Sequence, residues 1–235
     1  MARAFGRAIR RSGILMAYSS GFTAHPRVSW AGAAPTGAAS EAEYVELGLA
    51  QVRDPADLVH ALDAALPPGI DVIDGVVAQP GTGKLTDRID SSCWELRLYG
   101  TGEGELQAAI DGLLAAPSAE VERVTKDGRR TIDVRAALVS ALIQDVPAEQ
   151  PGVSATDATS GCAILKVVVQ QTTPVVRPDD VLAALSSVAG LPVPISSLVT
   201  RLAQGRLLED GSIVDPLAAD REAGVVSSSV ASQER

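Results

Sequence analysis

The stretch from Arg7 to Tyr44 gathers the side chains best suited to chemistry, and its kernel reads RAIRRSGILMAYSSGFTAHPRVSW. Ser19 and Ser20 offer hydroxyls, His25 an imidazole, and Arg27 a forked cation. Gly21 allows the intervening SSGFTAHPR loop a backbone turn closed to other residues. With Arg7, Arg10 and Arg11 just upstream, the set suits a phosphate or carboxylate. Arg7, Arg10, Arg11, Ser19, Gly21, His25 and Arg27 are therefore the candidate binding residues. A competing reading has Phe22, Pro26 and Trp30 packing the loop while His25 bonds a carbonyl, the arginines forming only a solvated helix face. No carboxylate partner for His25 is identifiable nearby, so no catalytic residue is assigned.

Other chemistries find less support. Cys93 and Cys162 are the two cysteines, in neither a CxxC nor a Cys/His cluster, so no metal site or cofactor is expected. GTGK at residues 81–84 imitates a phosphate loop, but Ala78 replaces the first glycine and Leu85 the hydroxyl residue. His60 reads as a structural or exposed helix residue. Arg10-Arg11 precedes an apolar run too short for a secretory signal, and no run approaches the ~20 apolar residues of a membrane span, so a cytoplasmic protein is expected. The net charge of −9 is uneven, because residues 1–40 carry five arginines and no acid. An acidic body with one basic end can steer an anionic partner but is not a general nucleic-acid-binding composition. Aromatics make up 3% of the chain, so base stacking has few rings to draw on.

The elements that would carry these residues follow from periodicity. Ala4, Phe5, Ala8 and Ile9 make one stripe of a helix over 2–11, with the arginines opposite and Gly13 ending it. Strands are expected at Leu15–Tyr18, Arg27–Ala31 and Glu43–Leu49, where Glu41, Glu43 and Glu46 would line a solvent edge. Asp54 caps a helix opened by Pro55, and a strand follows at Ile70–Ala78. Beyond a linker at 80–90, the pattern gives a strand at Ser92–Tyr99, a helix at Glu103–Ala116, and a hairpin turning at Lys126-Asp127-Gly128. A short helix at Ala136–Gln144, a strand at Cys162–Gln171, a helix from Pro178 to Ala189 and a strand at Ser197–Gln204 complete it.

DPADLVHAL at 54–62 aligns with RPDDVLAAL at 177–185, which suggests duplication. The expected fold class is α+β, with two tandem ferredoxin-like (split β-α-β) modules and a disordered C-terminal tail. The first module (1–79) lacks its opening strand, for which a start upstream of Met1 is the expected explanation. The second spans 91–214 with a mobile insert at 147–160, and the tail is 215–235.

The kernel, followed by SEAEYVEL, resembles the radical-SAM-associated proteins, a domain of unknown function encoded beside or fused to a radical S-adenosylmethionine protein. The matching residues are Arg7, Ala8, Arg10, Arg11, Gly13, Tyr18, Ser19, Gly21, Phe22, His25, Pro26, Arg27, Ser29, Ser40, Glu43 and Tyr44. The family's opening strand with its G-H-L-D-like segment is missing, and its Pro-Leu-rich loop is softened to Ala34-Pro35-Thr36-Gly37. The resemblance adds Tyr18, Phe22, Pro26, Glu43 and Tyr44 to the binding set and implies a radical SAM protein as partner. A radical SAM cluster needs three closely spaced cysteine thiolates, which Cys93 and Cys162 cannot supply. The expected role is thus a non-catalytic accessory or substrate-presenting partner, in RNA modification on one version. The alternative is a stand-alone RNA- or anion-binding module using the basic helix and the SSGFTAHPR loop.

Overall fold

The computed structural model describes residues 1–126, 128–145, 161–192, 194 and 196–224. It divides into two compact units that do not follow chain order. The first comprises Met1–Gly32, Tyr44–Asp87 and the chain from Pro216, and the second Ala33–Glu43 and Arg88–Asp215.

In the first unit, α1 (Ala2–Arg11) buries Phe5, Ala8 and Ile9, the stripe its spacing dictates, and Gly13 leaves it at φ 66°. β1 (Val28–Ala31) runs toward β2 (Ala39–Ser40), which belongs to the other unit, and the chain returns as β3 (Tyr44–Leu47). β1 and β3 pair antiparallel from Val28 opposite Leu47 to Ala31 opposite Tyr44. The segment expected as a strand at Leu15–Tyr18 makes only the isolated bridges Met16–Leu49 and Tyr18–Pro26. Asp54 caps α2 (Pro55–Asp63), its carboxylate accepting from the Ala56 and Asp57 amides. Phe5, Ile9, Ile14, Met16 and Leu62 form the core, where Phe5 meets Trp30 edge to face at 5.2 Å.

Ile70–Ala78 forms no strand. Two of its amides are held by nearby carboxylates instead of by a ladder. Asp63 accepts from Val72 N at 2.8 Å, and Asp74 from Gly75 N at 2.7 Å. The end of the chain begins in order: residues 218–224 are helical, and buried Asp220 accepts from Gln79 N and Thr82 Oγ1, each at 2.9 Å. The remainder of the expected tail, 225–235, lies outside the described residues.

The second unit strings together β4 (Ser91–Tyr99), α3 (Glu103–Ala115), the hairpin β5 (Glu120–Thr125) and β6 (Gly128–Asp133), and α4 (Val134–Ala137). Then come β7 (Leu138–Gln144), β8 (Cys162–Gln170), α5 (Pro178–Ser187), β9 (Ser196–Leu207) and β10 (Ile213–Val214). The sheet order is β10-β9-β4-β8-β7, antiparallel throughout, with β2 added parallel to β9. Leu96, Leu98, Leu165 and Val167 from the sheet meet Leu106, Ile110 and Leu113 of α3 and Val181 and Leu185 of α5 in one core. The first unit has no comparable sheet among its described residues; its ladder has two strands.

The helix expected at Ala136–Gln144 is a correction. One turn, α4, ends at Ala137, and Leu138 onward is strand. LVSALIQ is a short apolar run whose period is ambiguous, and β8 offers it a ladder that a helix would forgo. The insert at 147–160 and Asp127 of the hairpin turn lie outside the described residues. Cys93 and Cys162 sit near opposite ends of the β4–β8 ladder, Cys93 opposite Val168 and Cys162 opposite Tyr99, and both are free.

Candidate functional site

The SSGFTAHPR segment is an exposed loop on a pinned base. Ser19 N donates to the His25 carbonyl at 2.9 Å, and His25 N donates to Ser19 Oγ at 3.1 Å. Below them, Arg27 N donates to Ala17 O at 2.9 Å and Gly48 N to Arg27 O at 2.8 Å. A Cβ on Gly48 would stand 2.8 Å from Arg27 Cβ, so glycine there lets the two segments meet closely. Ser19 therefore closes the loop with the hydroxyl that had been offered to a ligand. Gly21 is not in the left-handed region and has open space around it, so the turn does not depend on it as expected. Phe22 is fully exposed and Tyr18 is 59% exposed, while Trp30 turns into the core. Phe22 thus does not pack the loop.

The cations divide by task. Arg11 donates through Nη2 to the Ala65 carbonyl just beyond α2, where helix carbonyls lack internal partners. Its role is to fasten α1 to the end of α2. Arg7 and Arg10 are exposed on α1, and neither they nor the side chains of His25 and Arg27 hold a hydrogen bond or ion pair among the described residues. No such bond joins the helix arginines to the loop.

Glu43 and Tyr44 part company at a unit boundary. Tyr44 opens β3 opposite Ala31. Glu43 is not on a solvent edge: its carboxylate accepts from Ala34 N at 3.3 Å and pairs with the Arg201 guanidinium. Arg201 is 4% exposed and also donates to Ser40 Oγ at 3.2 Å and to Gln204 Oε1 at 3.3 Å. Gln204 Nε2 donates in turn to Ala42 O, and the guanidinium lies 5.3 Å from the centre of the Trp94 ring. Ser40 and Glu43 thereby bolt the Ala39–Glu43 segment to β9. Sequence reasoning missed Arg201 and Gln204, which lie in a strand that also carries Ser196, Ser197, Thr200 and Arg206 and so do not stand out in it.

Residues 1–178 match the model of a family described as an uncharacterized protein conserved in bacteria, DUF2344. The chain belongs to this family. No curated protein matches it. In this DUF2344 chain the matched span includes α1, the exposed loop and the Ser40–Glu43 segment, and it ends at the first residue of α5. Arg201, which holds Glu43, lies beyond it.

At the loop the DUF2344 chain exposes the Arg27 side chain and the rings of Tyr18 and Phe22. Its thiols are poor nucleophiles, since burial pushes the pKa of both Cys93 and Cys162 up. Among the described residues, no helix is long and apolar enough to cross a membrane.

Proposed function

We propose that this chain is a non-catalytic accessory or substrate-presenting partner of a radical SAM protein, engaging it through the Ser19–Arg27 loop in the cytoplasm. The observation that carries the reading is Phe22, wholly exposed on a loop whose base is hydrogen-bonded shut. A large ring presented on a fixed base loses little entropy on binding and suits a partner's pocket. Arg7, Arg10 and Arg27, whose side chains hold no hydrogen bond or ion pair among the described residues, supply charge for an acidic rim. The partner's class comes from the resemblance of Arg7–Tyr44 to the radical-SAM-associated proteins. The succession β4-α3-β7-β8-α5-β9 and the order β9-β4-β8-β7 support a ferredoxin-like reading of the second unit, with the first as its diverged copy.

The test is a tagged pull-down from native-host extract, half of it nuclease-treated, using wild type, Phe22→Ala and the double variant Arg10→Glu/Arg27→Glu. Arg11 is spared because it holds Ala65. A radical SAM protein recovered from both halves by wild type, and depleted at least tenfold by either variant, is the expected outcome. Wild-type recovery without any radical SAM protein would overturn the partner assignment.

A second reading, RNA binding, has one observation in its favour. Tyr18 and Phe22 both expose their rings, and bases stack on such rings while arginines take phosphates. It expects steeply salt-dependent capture of RNA, lost on nuclease treatment.

A further inference from the structure

β7 ends the sheet of the second unit, pairing with β8 on one side and with no described strand on the other. Alternate residues of an edge strand turn their N–H and C=O groups outward, ready to template another chain. Proteins usually guard such edges with charge, proline, short length or a bulge. At the other side of this sheet, β2 and β10 cover parts of β9. Among the described residues, β7 is guarded only where it begins: its register shifts between Leu138 and Ser140, and Arg135 Nη1 donates to the Leu138 carbonyl at 3.5 Å. From Ser140 to Gln144 no charge or proline interrupts it, and Leu142 is 62% exposed. Charges appear only at its flanks, Arg135 before and Asp145 after.

We propose that β7 pairs antiparallel with β7 of a second copy of this chain. The flanking charges choose the occupant and the direction. An antiparallel two-fold arrangement brings the Asp145 end of each copy to the Arg135 end of the other, whereas a parallel one would set like against like. A chain of net charge −9 needs a surface free of acid in order to meet itself, and the run from Ala136 to Gln144 is one. The pairing satisfies the outward backbone groups and places each Leu142 across the two-fold beside uncharged neighbours. Two seven-residue strands bury less than the ~1,600 Å² of a standard interface, so the dimer dissociates on dilution.

Analytical ultracentrifugation of the full chain across the micromolar range tests this. The mass should rise with concentration from one chain to two, and Leu142→Lys or Asp145→Arg should weaken dimerisation at least tenfold. Hydrogen exchange of the wild type, which needs no variant to fold, should show β7 amides protected at high concentration and exchanging at low. A chain monomeric throughout, a dimer indifferent to Leu142→Lys, or β7 protection independent of concentration overturns the proposal.

Discussion

Glu43, which the resemblance places in the binding set, and its neighbour Ser40 both act as fasteners. Both lie in the stretch that resembles the radical-SAM-associated proteins, and both spend their side chains on Arg201. A buried ion pair is weak evidence of net stabilisation, because its attraction largely offsets desolvation, but a half-removed pair is costly. Glu43→Leu or Arg201→Met alone should therefore cost about 3–5 kcal/mol, leaving one charge buried without its partner. The double variant should cost clearly less than the sum of the two, and a urea-denaturation cycle measures the difference. Additive losses would mean that the pair is not coupled in solution.

Element boundaries are set by caps, and Asp133 is the most heavily used of them. It ends β6, and its carboxylate accepts from Ala119 N at 3.0 Å, Arg135 N at 3.0 Å, Ala136 N at 3.4 Å and Ser118 Oγ at 3.2 Å. The Ala119 bond foremost, against an opposing push from burial, holds its pKa below the ordinary carboxylate value. A depressed folded pKa stabilises fully above the unfolded value of about 3.9 and loses that contribution as pH falls through the folded one. Asp133→Ala should cost about 1–2 kcal/mol near neutrality. The gap from wild type should narrow below pH ~4, as urea titrations at neutral and acid pH would register. The helices aligned by the apparent repeat differ at this scale too. Asp54 caps α2 from outside, whereas Asp180 reaches back within α5 to Arg177 N at 2.7 Å while pairing with Arg123. Pro-x-Asp marks where each helix starts but not how its start is satisfied.

At the scale of the whole molecule the chain crosses between its two units more than once. Ala33–Glu43 leaves the first unit to add a strand to the second, and the chain returns to the first at Pro216. A chain ending at Asp215 would lose the Asp220 bonds to Gln79 and Thr82 and the 2.6 Å pair between Arg221 and Asp74. Amide exchange should then accelerate in residues 70–87 and stay unchanged along β4 and β8. Equal acceleration in both units would show that the C-terminal segment stabilises more than its own unit.

What the sequence determined by itself is whatever depends on near neighbours. The α1 stripe, the Asp54 cap ahead of Pro55, the strand at Ser92–Tyr99 and the helix opening at Glu103 are local patterns, and each forms as read. The exposed loop was legible as a loop, since SSG and HP are poor in both helical and ladder preference. Tertiary structure decided the rest, because those outcomes turn on partners distant in the chain. Leu138–Gln144 is strand because β8 lies beside it, and Ile70–Ala78 is not, having no strand beside it among the described residues. Glu43 is held away from the solvent edge by Arg201, which waits on a strand more than a hundred residues away, a meeting no periodicity can announce.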